Sequence, residues 1–304
     1  MIYSVTLNPA IDYVIGLPHL ELGAVNRLTS AVKLPGGKGI NVSRILQALD
    51  IPTTAWGFNG GFTGEFITDS LHALGLHTDF APAAGDTRIN VKLKADSETE
   101  LNGAGPTITE DNVAAFKSKF DALQPGDVVV MAGSIPQGLG DSFYRDLIPL
   151  IHQHGADFVI DTTGQALLDT LPEHPLVVKP NHHELAALFS DNEYTDLQQV
   201  VERGRRLLEM GAQHVLVSMA GAGALMITKD HAWHGTVPKG DVKNSVGAGD
   251  SMLAGFTGTF AQTHEALTSF KTAIACGSAT AFSTDLADKE KIDAVLATVS
   301  IEEL

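Results

Sequence analysis

Cysteine is almost absent: Cys276 is the only one in 304 residues. A single thiol excludes an internal disulfide framework and any multi-cysteine zinc or iron–sulfur site. Aromatic residues make up only 6%, and Trp56 and Trp233 read as packing residues. There is no run of about 18 apolar residues, so no segment reads as a membrane span. The N-terminus lacks a basic stretch followed by a long apolar run, so no signal peptide is expected and the default is a cytoplasmic protein. Basic charge is scarce as well. Twenty Lys and Arg face 36 Asp and Glu, and a net charge of −16 repels a phosphate backbone and disfavours nucleic-acid binding. Apolar residues reach 44% against 18% charged, enough for a large core. The length suggests one α/β domain of roughly 250 residues with a small appendage.

Short apolar runs alternate with longer segments of helical period. The runs at 2–7, 128–131, 158–160, 176–178 and 215–218 are continuously apolar, as in strands covered on both faces. Segments 40–49, 64–73, 110–122, 143–154, 197–210 and 251–263 read as helices. This alternation predicts an α/β fold with a central, mostly parallel sheet flanked by helices. Two stretches break the pattern. Positions 12–34 hold no convincing long helix, and from Thr87 to Leu101 polar Arg88, Asn90, Lys92 and Lys94 alternate with Ile89, Val91, Leu93 and Ala95. A period of two marks a strand with one wet and one covered face. Insertions at about 12–35 and 87–106 are therefore expected to build a small separate sheet on a single domain spanning 1–304.

Open α/β sheets gather ligands beyond the carboxyl ends of their strands. Motif checks remove several enzyme classes. Gly37-Lys38 is followed by Gly39 and is not a P-loop; Gly221-Ala-Gly223 lacks the third glycine of a dinucleotide fingerprint. No GxSxG occurs, and His182-His183-Glu184 is not HExxH.

The sharpest signal is Asn244-Ser-Val-Gly247-Ala248-Gly249-Asp250-Ser251 ahead of an apolar run. Two glycines before a helix start let backbone N–H groups converge, and the helix N-terminus adds partial positive charge. That suits a developing anion, and Asp250 beside it could take a proton from a hydroxyl. Asp250 could equally be a helix N-cap after a glycine turn. Between positions 22 and 49 there is no acid, yet Arg27, Lys33, Lys38 and Arg44 are present, and Arg88, Lys92 and Lys94 follow later. Such local reversal would attract a phosphorylated ligand. Arg27, Lys38 and Arg88 are read as phosphate contacts; Lys33, Arg44, Lys92 and Lys94 are read as a solvated face. Asn181 and Glu184 share a helix start, where they suit a well-hydrated Mg²⁺ or a capping box.

Gly247-Ala-Gly249-Asp250 resembles the signature of the PfkB family of sugar kinases, which have the ribokinase-like fold. Asp161-Thr-Thr-Gly164, Lys179-Pro-Asn181-His-His-Glu184 and Gly36-Gly37-Lys38-Gly39-Ile-Asn41 resemble its other motifs, in the family's order, from Thr6 to about Ala281. The resemblance implies Asp250 as the catalytic base, with Gly247, Ala248 and Gly249 forming an anion hole. It implies acceptor contacts from Asp12, Gly36, Gly37 and Asn41, and Ser134 is a further candidate. Lys179, Asn181, Ser218, Gly221, Gly223 and Gly277 would meet ATP. Asn181 and Glu184 would organise Mg²⁺ through water. The two insertions would form a lid, and lids paired in a homodimer would cover exposed strand edges. Partners would be a sugar phosphate and ATP, with neither nucleic acid nor membrane. Gly61-Phe-Thr-Gly-Glu-Phe66 and Asp86-Thr-Arg88-Ile-Asn90-Val-Lys92 most resemble the branch that phosphorylates fructose 1-phosphate to fructose 1,6-bisphosphate. Tagatose 6-phosphate is the alternative acceptor, and a non-catalytic sugar-phosphate sensor is the alternative class.

Overall fold

The computed structural model describes residues 1–192 and 194–304. In chain order the elements are β1 (Ile2–Thr6), β2 (Ala10–Gly16), β3 (Ser30–Gly36), α1 (Lys38–Ala48), β4 (Thr53–Asn59), α2 (Gly61–Ala73), β5 (His77–Pro82), β6 (Arg88–Lys94), β7 (Glu98–Asn102) and α3 (Glu110–Lys117). Then come β8 (Val128–Ala132), α4 (Phe143–Gln153), β9 (Asp157–Asp161), α5 (Gly164–Leu168), α6 (His182–Leu188), α7 (Leu197–Glu209), β10 (Val215–Ser218), β11 (Ala224–Ile227) and β12 (Ala232–Gly235). The chain closes with α8 (Ala248–Thr263), α9 (Ala266–Ala281), α10 (Lys289–Leu296) and β13 (Ile301–Glu303).

Strands β5-β4-β1-β8-β9 run parallel in that order. The segment 176–178, expected as a strand, pairs only through single bridges, Val178 to Ile160 on one side and to Val215 on the other. Pro175 and Pro180 bracket it and cannot donate ladder bonds, which keeps it short. These bridges carry the sheet on to β10, after which β11, β12 and β13 are antiparallel. Alternate residues of the buried strands feed two cores. Val129, Met131, Phe158 and Val217 pack with Phe116, Leu147, Leu185 and Leu207. Val128, Val130, Val159 and Leu216 pack with Ile45, Leu253, Ile274 and Ile292 on the other face. Continuous apolar runs were the right signal because both faces are covered. Among the described residues, no helix is long and apolar enough to cross a membrane.

The two insertions form a separate four-stranded sheet of order β3-β2-β6-β7. The expected alternation is present, but the polar row is covered too, and the apolar row only in part: Leu93 is buried. Asn90 is buried and Arg88 and Lys92 are half-buried, whereas Ile89 and Leu101 are 42% and 61% exposed. Register explains this: Arg88, Asn90 and Lys92 lie beside Ala10, Asp12 and Val14 of β2, on the side facing the cleft. Three helix boundaries also differ from expectation. The 110–122 segment tightens into a 3₁₀ turn after Lys117, the 64–73 helix starts at Gly61, and the 251–263 helix starts at Ala248.

Helix α8 is fixed by close packing on α9. A Cβ on Gly255 would lie 2.9 Å from both Cys276 Sγ and the Thr272 carbonyl. Gly255→Val should force the helices apart and cost about 2 kcal/mol. Urea unfolding checks this: the midpoint should fall at constant slope, and an unchanged midpoint would contradict such tight packing.

Candidate active site

The site is assembled at the carboxyl edge of the parallel sheet. Thr6, at the end of β1, accepts from the Ile40 amide at 2.9 Å through Oγ1 and so anchors the start of α1. This close approach needs glycine: a Cβ on Gly39 would lie 2.5 Å from Thr6 Oγ1, and Gly37 has φ +131°. Gly36 leaves room for the Asp12 carboxylate, which a Cβ there would meet at 2.4 Å. Asp12 also accepts from Asn90 Nδ2 at 3.1 Å. Burial pushes its carboxyl up, against the opposing pull of Lys92, Asn90 and Arg88.

One turn into α1, Asn41 Nδ2 donates to Asp250 Oδ2 at 2.8 Å. Asp250 lies in the first turn of α8. It is not the cap: that position is Gly247, in the left-handed region at φ +79°. The helix thus begins two residues before Asp250 and turns the 247–249 backbone toward the carboxylate's surroundings. Asp250 is 8% exposed. Burial, then repulsion from Asp161, raises its pKa to about 6, while Asn41, Lys38 and Lys179 work in the other direction.

Asp161, at the end of β9, belongs to a family-like motif but is absent from the site residues expected from sequence. It accepts from Lys38 Nζ at 2.8 Å and lies 3.7 Å from Lys179 Nζ. Burial opposes its ionisation, yet Lys179 and Lys38 hold its carboxyl below the usual range. Burial likewise opposes the charge on Lys38, and Asp161, Asp250 and Glu184 more than restore it. Lys179 reaches the anion turn, since a Cβ on Gly249 would lie 3.1 Å from its Nζ. The available sequence signals for Asp161 are its place in the Asp161-Thr-Thr-Gly164 motif and at the end of an apolar strand, and neither shows which charges it meets.

The nucleotide-side candidates are adjacent. Asn181 and Glu184 form a capping box at the start of α6: the Asn181 amide donates to Glu184 Oε2 and the Glu184 amide to Asn181 Oδ1, each at 2.8 Å. Capping leaves the second Glu184 oxygen for a water, so the donor set fits a hydrated Mg²⁺ better than a protein cage. Among the described residues no cluster of three or more His, Cys, Asp or Glu side chains could hold a metal alone. Ser218 bridges to Asn181, and Gly221 faces open space. Gly277 is buried, and its α-carbon faces the Ala248 carbonyl, where a Cβ would lie at 3.1 Å; its place is that of close packing beneath the anion turn.

Other candidates fall further out. Arg88 is half-buried and donates from Nε to the Asn8 carbonyl and from Nη1 to that of Gly103, both at 3.2 Å. Ser134 is exposed after β8 and lines a cavity of about 580 Å³ with Arg145 and Gln165. Arg27 lies in the exposed connection between β2 and β3, and no ion pair joins it to the cluster among the described residues. Two residues read as solvated belong nearer the site. Arg44 is bidentate to Asp285 at 3.2 and 2.5 Å, and Arg44 and Lys92 line a small pocket with Asp12 and Asn41.

A parallel sheet with helices on both faces, a small sheet over its edge and a glycine turn presenting a buried carboxylate define a sugar-kinase architecture. The chain belongs to the pfkB family of carbohydrate kinases, whose model matches residues 5–292. Over its full length it is 45% identical to 1-phosphofructokinase of Bacillus subtilis, with both chains covered completely. It is 35% identical to D-tagatose-1-phosphate kinase of Bacillus licheniformis, again over the whole of both. Phosphofructokinase-2 of Escherichia coli, solved in complex with fructose-6-phosphate, superposes with a TM-score of 0.90 at 27% identity, covering 97% of this chain and 98% of that one.

The raised Asp250 pKa has a consequence for stability. A carboxyl raised in the fold from 3.8 to about 6 favours the native state while protonated. That contribution is complete below about pH 4 and is lost as the pH rises through 6, so the ionised group costs the fold about 3 kcal/mol at neutral pH. Asp250→Asn should therefore unfold at higher urea than the wild type at about pH 7.5, and the gap should close toward pH 4. A variant less stable than the wild type at pH 7.5 would refute the assignment.

Proposed function

We propose that the chain transfers the γ-phosphoryl group of ATP to the C6 hydroxyl of fructose 1-phosphate, forming fructose 1,6-bisphosphate and ADP. The observation that carries this reading is Asp250: a buried carboxylate at a glycine-turned helix start, oriented by Asn41 and flanked by Lys38 and Lys179. A base with a pKa near 6 is ionised at neutral pH and still able to accept a proton. Asp250 would take the hydroxyl proton as the oxygen attacks the γ-phosphorus. The bond from that phosphorus to the bridging oxygen breaks, and ADP leaves with the electron pair. Backbone amides of 247–249 would face the charge on the moving group. Asp12 would hold acceptor hydroxyls, and Arg88 the distal phosphate. Magnesium, oriented by Glu184 and Asn181 through water, would neutralise phosphate charge when bound.

The acceptor assignment is supported by full-length similarity to a 1-phosphofructokinase. The relative named for tagatose uses the 1-phosphate, so tagatose 1-phosphate joins tagatose 6-phosphate as a competing acceptor. In this reading the small sheet is a lid that excludes water from the transfer. Its outer face, with exposed Ile89 and Leu101, would pair with a second copy.

ADP release with MgATP should give the highest kcat/KM for fructose 1-phosphate against tagatose 1-phosphate, tagatose 6-phosphate and fructose 6-phosphate. Asp250→Asn should lose turnover by at least about a thousandfold. Preference for a tagatose phosphate would keep the mechanism and change the substrate; turnover with none would leave a sensor. Sedimentation should give a dimer that Ile89→Asp together with Leu101→Asp converts to monomer, and an unaltered mass would remove the lid from the interface.

A further inference from the structure

The connection from β10 to β11 is a turn held in a strained shape. Met219 N donates to the Gly223 carbonyl at 2.8 Å, Ala222 N to the Met219 carbonyl at 3.0 Å, and Gly223 N to the Ala220 carbonyl at 3.0 Å. Ala220 has φ +47°, the left-handed region, which costs a residue with a Cβ about 1 kcal/mol. Gly223 has φ +92°, and a Cβ there would strike the Gly235 carbonyl at 2.1 Å. Such strain persists only where the surroundings impose it.

Besides these backbone bonds, one side chain holds the turn from outside. His234, on β12, donates from Nε2 to the Ala222 carbonyl at 2.9 Å, and its Nδ1 lies 3.2 Å from Glu302 Oε1 on β13. The ring is 13% exposed. Both partners are acceptors only, so the proton on Nε2 is required for the bond to the turn. The turn faces the catalytic cluster on its other side. Ser218 N donates to the Pro180 carbonyl at 3.2 Å, next to Lys179 and to the capping box of Asn181. A Cβ on Gly221, at the tip, would meet no atom within 4 Å, so the tip is open to a ligand.

We infer that His234 is a positioning residue for the adenine nucleotide. From outside the site it pins the 218–223 turn in the strained form that meets ATP, and β13 braces the ring through Glu302. The inference rests on the reading of Ser218, Gly221 and Gly223 as nucleotide-facing. Its readout is a split between substrates that general loss of packing would not give.

His234→Phe fills the space without the donor and should raise the KM for ATP about fivefold to tenfold. The acceptor KM should stay within twofold, and kcat should fall less than the KM for ATP rises. His234→Gln, whose amide can still donate to Ala222, should recover most of the affinity. If His234→Phe does not fold, His234→Asn, with an amide too short to reach, gives the same comparison against His234→Gln. An unchanged KM for ATP, an equal rise in both KM values, or no difference between His234→Gln and the shorter or donor-free variants would overturn the inference. Gly221→Val tests the underlying reading separately, because it obstructs the tip without touching His234. If it raises the KM for ATP and His234→Phe does not, the nucleotide turn stands and the role of His234 falls. If Gly221→Val leaves the KM for ATP unchanged, the nucleotide reading itself falls.

Discussion

The site depends on one buried charge arrangement, Asp161 between Lys38 and Lys179. A carboxylate that is 7% exposed would be costly alone. Two ammonium groups at 2.8 and 3.7 Å make it tolerable and leave one positive charge in excess. Asp250 balances that excess, so the four groups sum to zero. The partners come from α1, from the end of β9 and from the 179–181 segment, so charge pairing adds to the packing and bridges that already hold these three segments together. Removing either lysine from such a set is far more damaging than its net contribution suggests, because the carboxylates it leaves behind stay buried. The arrangement also bears on the proposed transfer. A proton taken by Asp250 changes the local sum from zero to plus one as the phosphoryl group's negative charge arrives.

Backbone geometry limits where these charges can be. Asp250 is held by a helix whose neighbour approaches at Gly255, and whose first turn rests on the buried Gly277. Asn41 is held by a helix whose start is bonded to β1 through Thr6. The hydrogen bond between Asn41 and Asp250 therefore links the first turns of two helices that already pack on each other in one core. An acceptor hydroxyl placed against one is placed against the other, which is the alignment that phosphoryl transfer needs more than any covalent help.

Much of this was legible along the chain, for identifiable reasons. Strands at 2–7, 128–131, 158–160 and 215–218 lie within two residues of their observed bounds because burial on both faces leaves a continuous apolar signature. Strand β4, with Thr53, Thr54 and Gly57 among its residues, lacks that signature, and so does β12, where His234 and Gly235 interrupt it; β11 carries the same short apolar run as β10 but directly follows the Gly221-Ala-Gly223 turn, which reads as loop. The glycine turn was visible, but its helix begins at Ala248 because Gly247 adopts a left-handed cap that a propensity argument reads as loop. Asp161 and Arg44 escaped for a different reason. Their roles lie in pairings 123 and 241 residues distant in sequence, and no local pattern carries those.

The small sheet shows how an alternating pattern can be read correctly and still leave its orientation open. A period of two fixes that the faces differ, but it does not say which one the protein covers. In a sheet lying on its own core the apolar row would be inside. Here Asp12, Asn90, Arg88 and Lys92 form the row turned to the cleft, and of the opposite row only part, such as Ile11 against Ile40, Ile67 and Leu71, is buried by the body. The polar row is held in place by its own bonds, Asn90 to Asp12, Lys92 to Glu100 and Arg88 to two carbonyls. A sheet stabilised by charge on its inner face and incompletely covered on its outer face is poorly suited to stand alone. In the proposed reading both deficits would be met by partners: a charged, hydroxyl-bearing ligand on the cleft side, and an apolar surface on the other.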